Sequence, residues 1–140
     1  MTMNRVLIDT SFLIALTVAK DQNHEAARAV GMAFKGVTLV PEVVLNELFH
    51  VIHKEASHAH AVKLLAAVHH SPIRRIALLD DDLTRMESIF ETYIDHEFDF
   101  TDTAVMALCE RLNITTIFTF SRNSFSIFKP THCNTLTLLP

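Results

Sequence analysis

The chain has 140 residues, 49% of them hydrophobic, with only two glycines and four prolines; this excludes a disordered chain and suits one domain over residues 1–140. Twelve Lys and Arg against sixteen Asp and Glu give a formal net charge of −4, so overall charge does not drive nucleic-acid binding. No apolar run reaches the roughly 20 residues that cross a bilayer, no secretory signal is expected in residues 1–20, and Cys109 and Cys133 have neither metal-site nor disulfide-framework spacing, so we expect a soluble cytoplasmic protein without membrane association.

In chain order, Arg5-Val-Leu-Ile8 is a short apolar run that predicts a buried strand, and Thr10 or Ser11 is placed to cap a helix through about Ala19. "DQNHEAARAVGMAFK" predicts a second helix with Asp21 near its start, and Gly36 closes it. "VTLV" (37–40) reads as a strand, followed by the helix "PEVVLNELFHVIHKEA" with Pro41 in its first turn. Ser57 is a cap for "SHAHAVKLLAAVHH". Residues 73–80 return to strand character, and the acidic run at 80–82 suits a helix amino end, where the helix dipole favours negative charge. "DFTDTAVMALCERLN" carries the apolar stripe of a further helix, "TTIFTF" is a strand, and "NTLTLL" is a last one. Alternation of this kind means parallel strands joined by right-handed crossovers, with ligands outside the strands' carboxyl ends.

That rule selects the residues that matter. Asp9 directly follows the first strand, Glu47 interrupts an apolar helical stretch, and Asp102 lies three residues after Asp99 at a helix start. Each has a bland reading: "DTS" serves as a helix cap, Glu47 as a boundary residue, and Asp99 with Asp102 as a capping box with a shortened acid. Together, three carboxylates from separate elements at one sheet edge repel unless a cation neutralises them. Hard oxygen ligands favour Mg²⁺ or Mn²⁺, and such a metal activates water for attack on a phosphodiester.

Other constellations carry less. Glu47-x-x-His50 and Glu55-x-x-His58 have di-iron spacing, but that chemistry uses two facing helices, whereas these lie about 12 Å apart along one. The pairs His50/His53, His58/His60 and His69/His70 lack a third ligand and read as surface histidines. Two glycines cannot build a phosphate loop, and no nucleophile elbow is present. A phosphoacceptor receiver would want an acidic pair after the first strand and a lysine near Ser121; neither is there.

The order and spacing of "VLIDTSFLIAL", "VPEVVLNELFHVI", "DFTDTAVMALCERLNI" and "TTIFTFSRNSF" resemble the PIN-domain family, many of whose members are VapC-like ribonuclease toxins. The resemblance implies a three-layer α/β/α fold with a mainly parallel central sheet, and Mg²⁺- or Mn²⁺-dependent cleavage of single-stranded RNA. Carried over by position, it makes Asp9, Glu47 and Asp102 the catalytic metal ligands, Ser11 a polar support and Thr119 the hydroxyl before the final turn. Where the family typically continues Thr-x-Asp-Arg, this chain has Thr119-Phe-Ser121-Arg122, so the fourth acid is replaced by Ser121. Asn123 is then a candidate neutral ligand, and Asp99 a source of extra charge. We expect one metal held through Asp9 and Asp102, with Glu47 aligning or sharing it, and reduced activity or a need for Mn²⁺. Arg122 is the leading candidate for a phosphate contact, with Lys54, Arg74, Arg75 and Lys129 as a backbone-binding strip. Expected partners are single-stranded RNA, a small antitoxin protein and a second copy in a homodimer. The alternative is a catalytically impaired PIN-like module that binds RNA or another protein.

Overall fold

The computed structural model describes residues 4–140. Five strands form one sheet: β1 (Arg5–Ile8), β2 (Val37–Pro41), β3 (Arg74–Ile76), β4 (Thr116–Phe118) and β5 (Thr137–Leu139). Their order is β3-β2-β1-β4-β5 and every pairing is parallel. Seven α-helices complete the three-layer α/β/α arrangement: α1 (Thr10–Thr17), α2 (His24–Ala33), α3 (Glu42–Glu55), α4 (His58–His69), α5 (Asp80–Thr92), α6 (Phe100–Leu112) and α7 (Asn123–Ile127). A 3₁₀ turn, Ile94–His96, leads toward α6.

The parallel sheet explains the unbroken apolar runs. A central strand covered on both faces has no solvent side, so Val6, Leu7 and Ile8 are all buried in succession. The same cluster takes in Val40, Ile117 and Phe118 from the sheet, Val44, Leu48 and Ile52 from α3, and Val105, Met106 and Leu108 from α6. Burial of each such large side chain is worth about 1.5–3 kcal/mol.

Several boundaries differ from the sequence expectation. The strands β3, β4 and β5 have three residues each, shorter than the apolar runs that contain them: β3 stops before Ala77, β4 stops at Phe118 and β5 starts only at Thr137. Helix α1 ends at Thr17, and neither Thr10 nor Ser11 caps it: Asp9 occupies the cap position, makes no capping bond, and leaves its carboxylate for the sheet edge. Asp21 lies ahead of α2 and accepts from the Asn23 N–H in a turn. Pro41 is the last residue of β2, with extended backbone, rather than the first turn of α3. Gly36 sits beyond the end of α2; its role is close approach, since a Cβ there would stand 2.3 Å from the carbonyl oxygen of Asn4. The Ser57 cap is as expected, with its hydroxyl accepting from the His60 N–H, and α5 begins on the acidic run.

The chain runs from β1 outward through β2 to β3, then returns to β4 on the other side of β1. The sheet therefore changes direction between β1 and β4, and their carboxyl ends border the crevice where ligands bind in open α/β sheets.

Candidate active site

Asp9 and Thr119 are the residues immediately after β1 and β4, and the parallel register brings them together across that crevice. The Asp9 N–H extends the ladder to the carbonyl of Phe118 (3.0 Å). Both side chains are buried. The Thr119 hydroxyl donates to Asp9 Oδ2 at 2.9 Å. Ser11 Oγ lies 3.3 Å from the same oxygen and 3.1 Å from Thr119 Oγ1. Backbone N–H groups supply this pair of hydroxyls from behind, Phe120 donating to Ser11 Oγ and Ser121 to Thr119 Oγ1, each at 2.9 Å. With the lone pairs so engaged, the hydroxyl protons are directed toward Asp9. Aromatic packing fixes the approach: Phe12 of α1 lies 5.0 Å from Phe118 and 6.0 Å from Phe120, centroid to centroid.

Glu47 enters from α3 and Asp102 from α6. Leu48 and Val44 anchor α3 in the core, leaving Glu47 partly exposed beside them. Thr101 donates to Glu47 Oε2 at 3.0 Å, which joins α6 to α3 at the site. Asp102 Oδ2 accepts from Ser124 Oγ of α7 at 2.7 Å. Asp99 caps α6, accepting from the Asp102 N–H at 2.7 Å. Only this half of the anticipated capping box exists, because the Asp102 carboxylate turns to Ser124. The second oxygens of Glu47 and Asp102 accept no hydrogen bond among the described residues, and neither is sealed from water.

The charges respond to this crowding. Burial pushes the Asp102 carboxyl up to about 7, opposed by the Ser124 hydrogen bond and assisted by the neighbouring negative charges of Asp9, Asp99 and Glu47. Asp9 is also raised, first by burial; hydrogen bonds from Thr10, Thr119 and Ser11 oppose the shift, and Glu47 adds to it. The electrostatics thus couple Asp9, Glu47 and Asp102 as one acidic pocket.

Whether the pocket suits a divalent cation can be tested on its donors. Among the described residues, no group of three or more His, Cys, Asp or Glu side chains is placed to hold a metal ion. The pocket's donors are hard oxygens with excess negative charge, and Mg²⁺ is commonly held by one or two carboxylates with water at the other positions. One or two of these carboxylates, with water, are donors of the kind that suits such a cation.

Ser121 is exposed and contributes its backbone N–H to Thr119. Asn123 is also exposed and opens α7. Arg122 directs Nη2 to the carbonyl oxygens of Leu138 (3.2 Å) and Pro140. Lys54 on α3, Arg74 and Arg75 on β3, and Lys129 after α7 are exposed. Sequence reasoning overlooked Thr101 and Ser124. The only signal for either was adjacency to a candidate acid or to the polar turn, since their partners are set by helix packing.

The PIN domain sequence profile matches residues 6–127, so the chain belongs to the PIN-domain family. Among curated protein sequences, none matches this chain. In fold it is similar to VapC20 of Mycobacterium tuberculosis, described as a sarcin–ricin loop cleaving toxin, with TM-score 0.77, 22% identity, and 83% of this chain and 89% of that one covered. It is also similar to VapBC2 from Rickettsia felis bound to a promoter DNA fragment (TM-score 0.68, 13% identity, 96% of each chain covered). A toxin–antitoxin complex from Klebsiella pneumoniae gives TM-score 0.64 at 16% identity, covering 86% of this chain and 90% of that one. Among the described residues, no helix is long and apolar enough to cross a membrane.

Proposed function

We propose that this protein is a Mg²⁺- or Mn²⁺-dependent endoribonuclease cleaving single-stranded RNA, and the toxin of a toxin–antitoxin pair acting in the cytoplasm. The observation that carries the reading is that Asp9, Glu47 and Asp102 each have one oxygen fixed by a hydroxyl and lie near enough for the charges of the others to raise Asp9 and Asp102. A structural cap or boundary acid needs no such arrangement. Membership of the PIN family and the likeness of the fold to VapC toxins support it.

In this reading Asp9 and Asp102 hold the cation and Glu47 aligns or shares it. A cation bound there supplies an activated water and offsets charge on the phosphodiester. Thr119 and Ser11 turn the Asp9 carboxylate and favour its ionised form, because their donated hydrogen bonds oppose the larger effect of burial. Ser124 orients the Asp102 carboxylate and partly offsets the effect of its burial, and Thr101 orients Glu47. Ser121 adds no carboxylate at the turn, which leaves the pocket with less charge for a second cation and favours Mn²⁺ over Mg²⁺ in activity. The partner reading rests on VapBC complexes among the similar folds: a small antitoxin restrains the enzyme, and the active form is a homodimer.

The test is cleavage of a labelled single-stranded RNA in Mg²⁺, in Mn²⁺ and in EDTA. We expect cleavage with either metal, faster with Mn²⁺, and none in EDTA or with Asp9→Asn. Cleavage that persists in EDTA contradicts the mechanism. Metal binding without turnover favours instead a non-catalytic RNA-binding or interaction module.

A further inference from the structure

We propose that Arg122 is a positioning residue that latches the edge strand β5 and, through it, holds Thr119 against Asp9; the catalytic part of this inference rests on the ribonuclease reading. Strand β5 has three residues, pairs among the described residues only with β4, and follows a stretch of irregular backbone from Phe128 to Leu136. So short an edge strand is poorly held by its own ladder. Two contacts at its end bear on the site. The Thr119 N–H donates to the Leu139 carbonyl at 2.8 Å, extending the β4–β5 ladder past Phe118. Arg122 Nη2 donates to the carbonyls on either side of it, those of Leu138 and Pro140.

The consequence follows from Thr119's two roles. Its backbone is fixed by β5, while its hydroxyl donates to Asp9 Oδ2. If β5 frays, the Thr119 peptide loses its partner and the hydroxyl loses its fixed direction toward the carboxylate. Arg122 stands three residues beyond Thr119, so the turn that leaves β4 returns to clamp the strand beside it. Ser121, between them, gives its N–H to the Thr119 hydroxyl. A four-residue segment therefore fixes Asp9 from the hydroxyl side and β5 from the guanidinium side. A phosphate contact by Arg122 would give a different signature, because such a contact adds to RNA affinity and to its salt dependence.

The experiment uses the full chain with Arg122→Ala, and Arg122→Lys as the charge-retaining variant. Amide hydrogen exchange is read at Thr119 in the RNA-free protein, and kcat, RNA Kd and its salt dependence are measured with a labelled single-stranded RNA. We expect Arg122→Ala to speed Thr119 exchange by at least about tenfold, as local opening of the edge strand requires. It should lower kcat by roughly 10- to 100-fold through misplacement of the Asp9 carboxylate, with the RNA Kd and salt slope unchanged. Arg122→Lys should fall between the wild type and the alanine variant in exchange. Unchanged Thr119 exchange in Arg122→Ala overturns the latch whatever happens to activity. A salt slope reduced by about 0.7, the contribution of one phosphate contact on a single strand, with Thr119 exchange unchanged, also overturns it and makes Arg122 an RNA contact. If the wild type cuts no RNA, the ribonuclease reading fails while the exchange result still decides the latch.

Discussion

Thr119 shows how much of the pocket depends on single hydroxyls. It is fully buried, donates to Asp9 and accepts from the Ser121 N–H, so Thr119→Val leaves a backbone donor and a carboxylate without their partner. The expected cost is about 1–3 kcal/mol of stability, with activity lost by at least about tenfold because Asp9 is no longer oriented and loses a bond that favours its ionised form. Urea unfolding and RNA cleavage check the two halves. Asp102 makes the opposite kind of prediction. Its folded-state proton affinity is raised to about 7, so between the ordinary carboxylate range and pH 7 the folded protein holds a proton that the unfolded chain has released. Stability therefore falls as pH rises through that window and levels off above it. Asp102→Asn removes this burden: at pH 8 without metal its Tm should rise by about 2–6 °C, while cleavage is abolished. A substitution that stabilises the fold and destroys activity is the mark of a functional acid, and a lower Tm for Asp102→Asn contradicts that assignment.

Elements deliver these side chains, and ion pairs fix one of them in place. Helix α6 is tied to α5 by Arg85 on Glu110, at 2.6 and 3.1 Å, and by Arg111 on Asp82 at 2.8 Å. Asp82 is buried and also closes the first turn of α5 by accepting from the Leu79 N–H. Arg111→Ala should cost about 3 kcal/mol by leaving that carboxylate without its cation, and should weaken catalysis by loosening the helix that carries Asp102. Denaturant midpoints and cleavage rates would show both. At this scale the sequence was legible where periodicity runs long. The strands β1 and β2 and the helices α3 and α6 follow from apolar patterning, and Asp9 and Glu47 stood out because they interrupt it. The five-residue helix α7 is too short to show a period, so Ser124 was read as part of a turn and its bond to Asp102 was invisible. Thr101 was hidden differently: its partner lies 54 residues away, and nothing local encodes how α6 meets α3. Arg122 was read as a phosphate contact because its partners, the carbonyls of Leu138 in β5 and of Pro140 just after it, come next to it only through the fold.

At the scale of the whole molecule, the parallel sheet concentrates negative charge at one edge of a chain that is itself acidic. Topology brings Asp9 to Thr119, helix packing adds Glu47 and Asp102, and the resulting repulsion is the physical ground for the proposed cation. The most direct measurement is thermal unfolding at pH 8 with and without millimolar Mn²⁺, in the wild type and in Asp9→Asn. Binding to the folded state alone stabilises it by mass action, by about 2.7 kcal/mol at a hundredfold excess over Kd. We predict a rise in Tm for the wild type of about 5–10 °C, absent in Asp9→Asn and reversed by EDTA. An equal response in both proteins, or none in either, would contradict the claim that these carboxylates form a metal site.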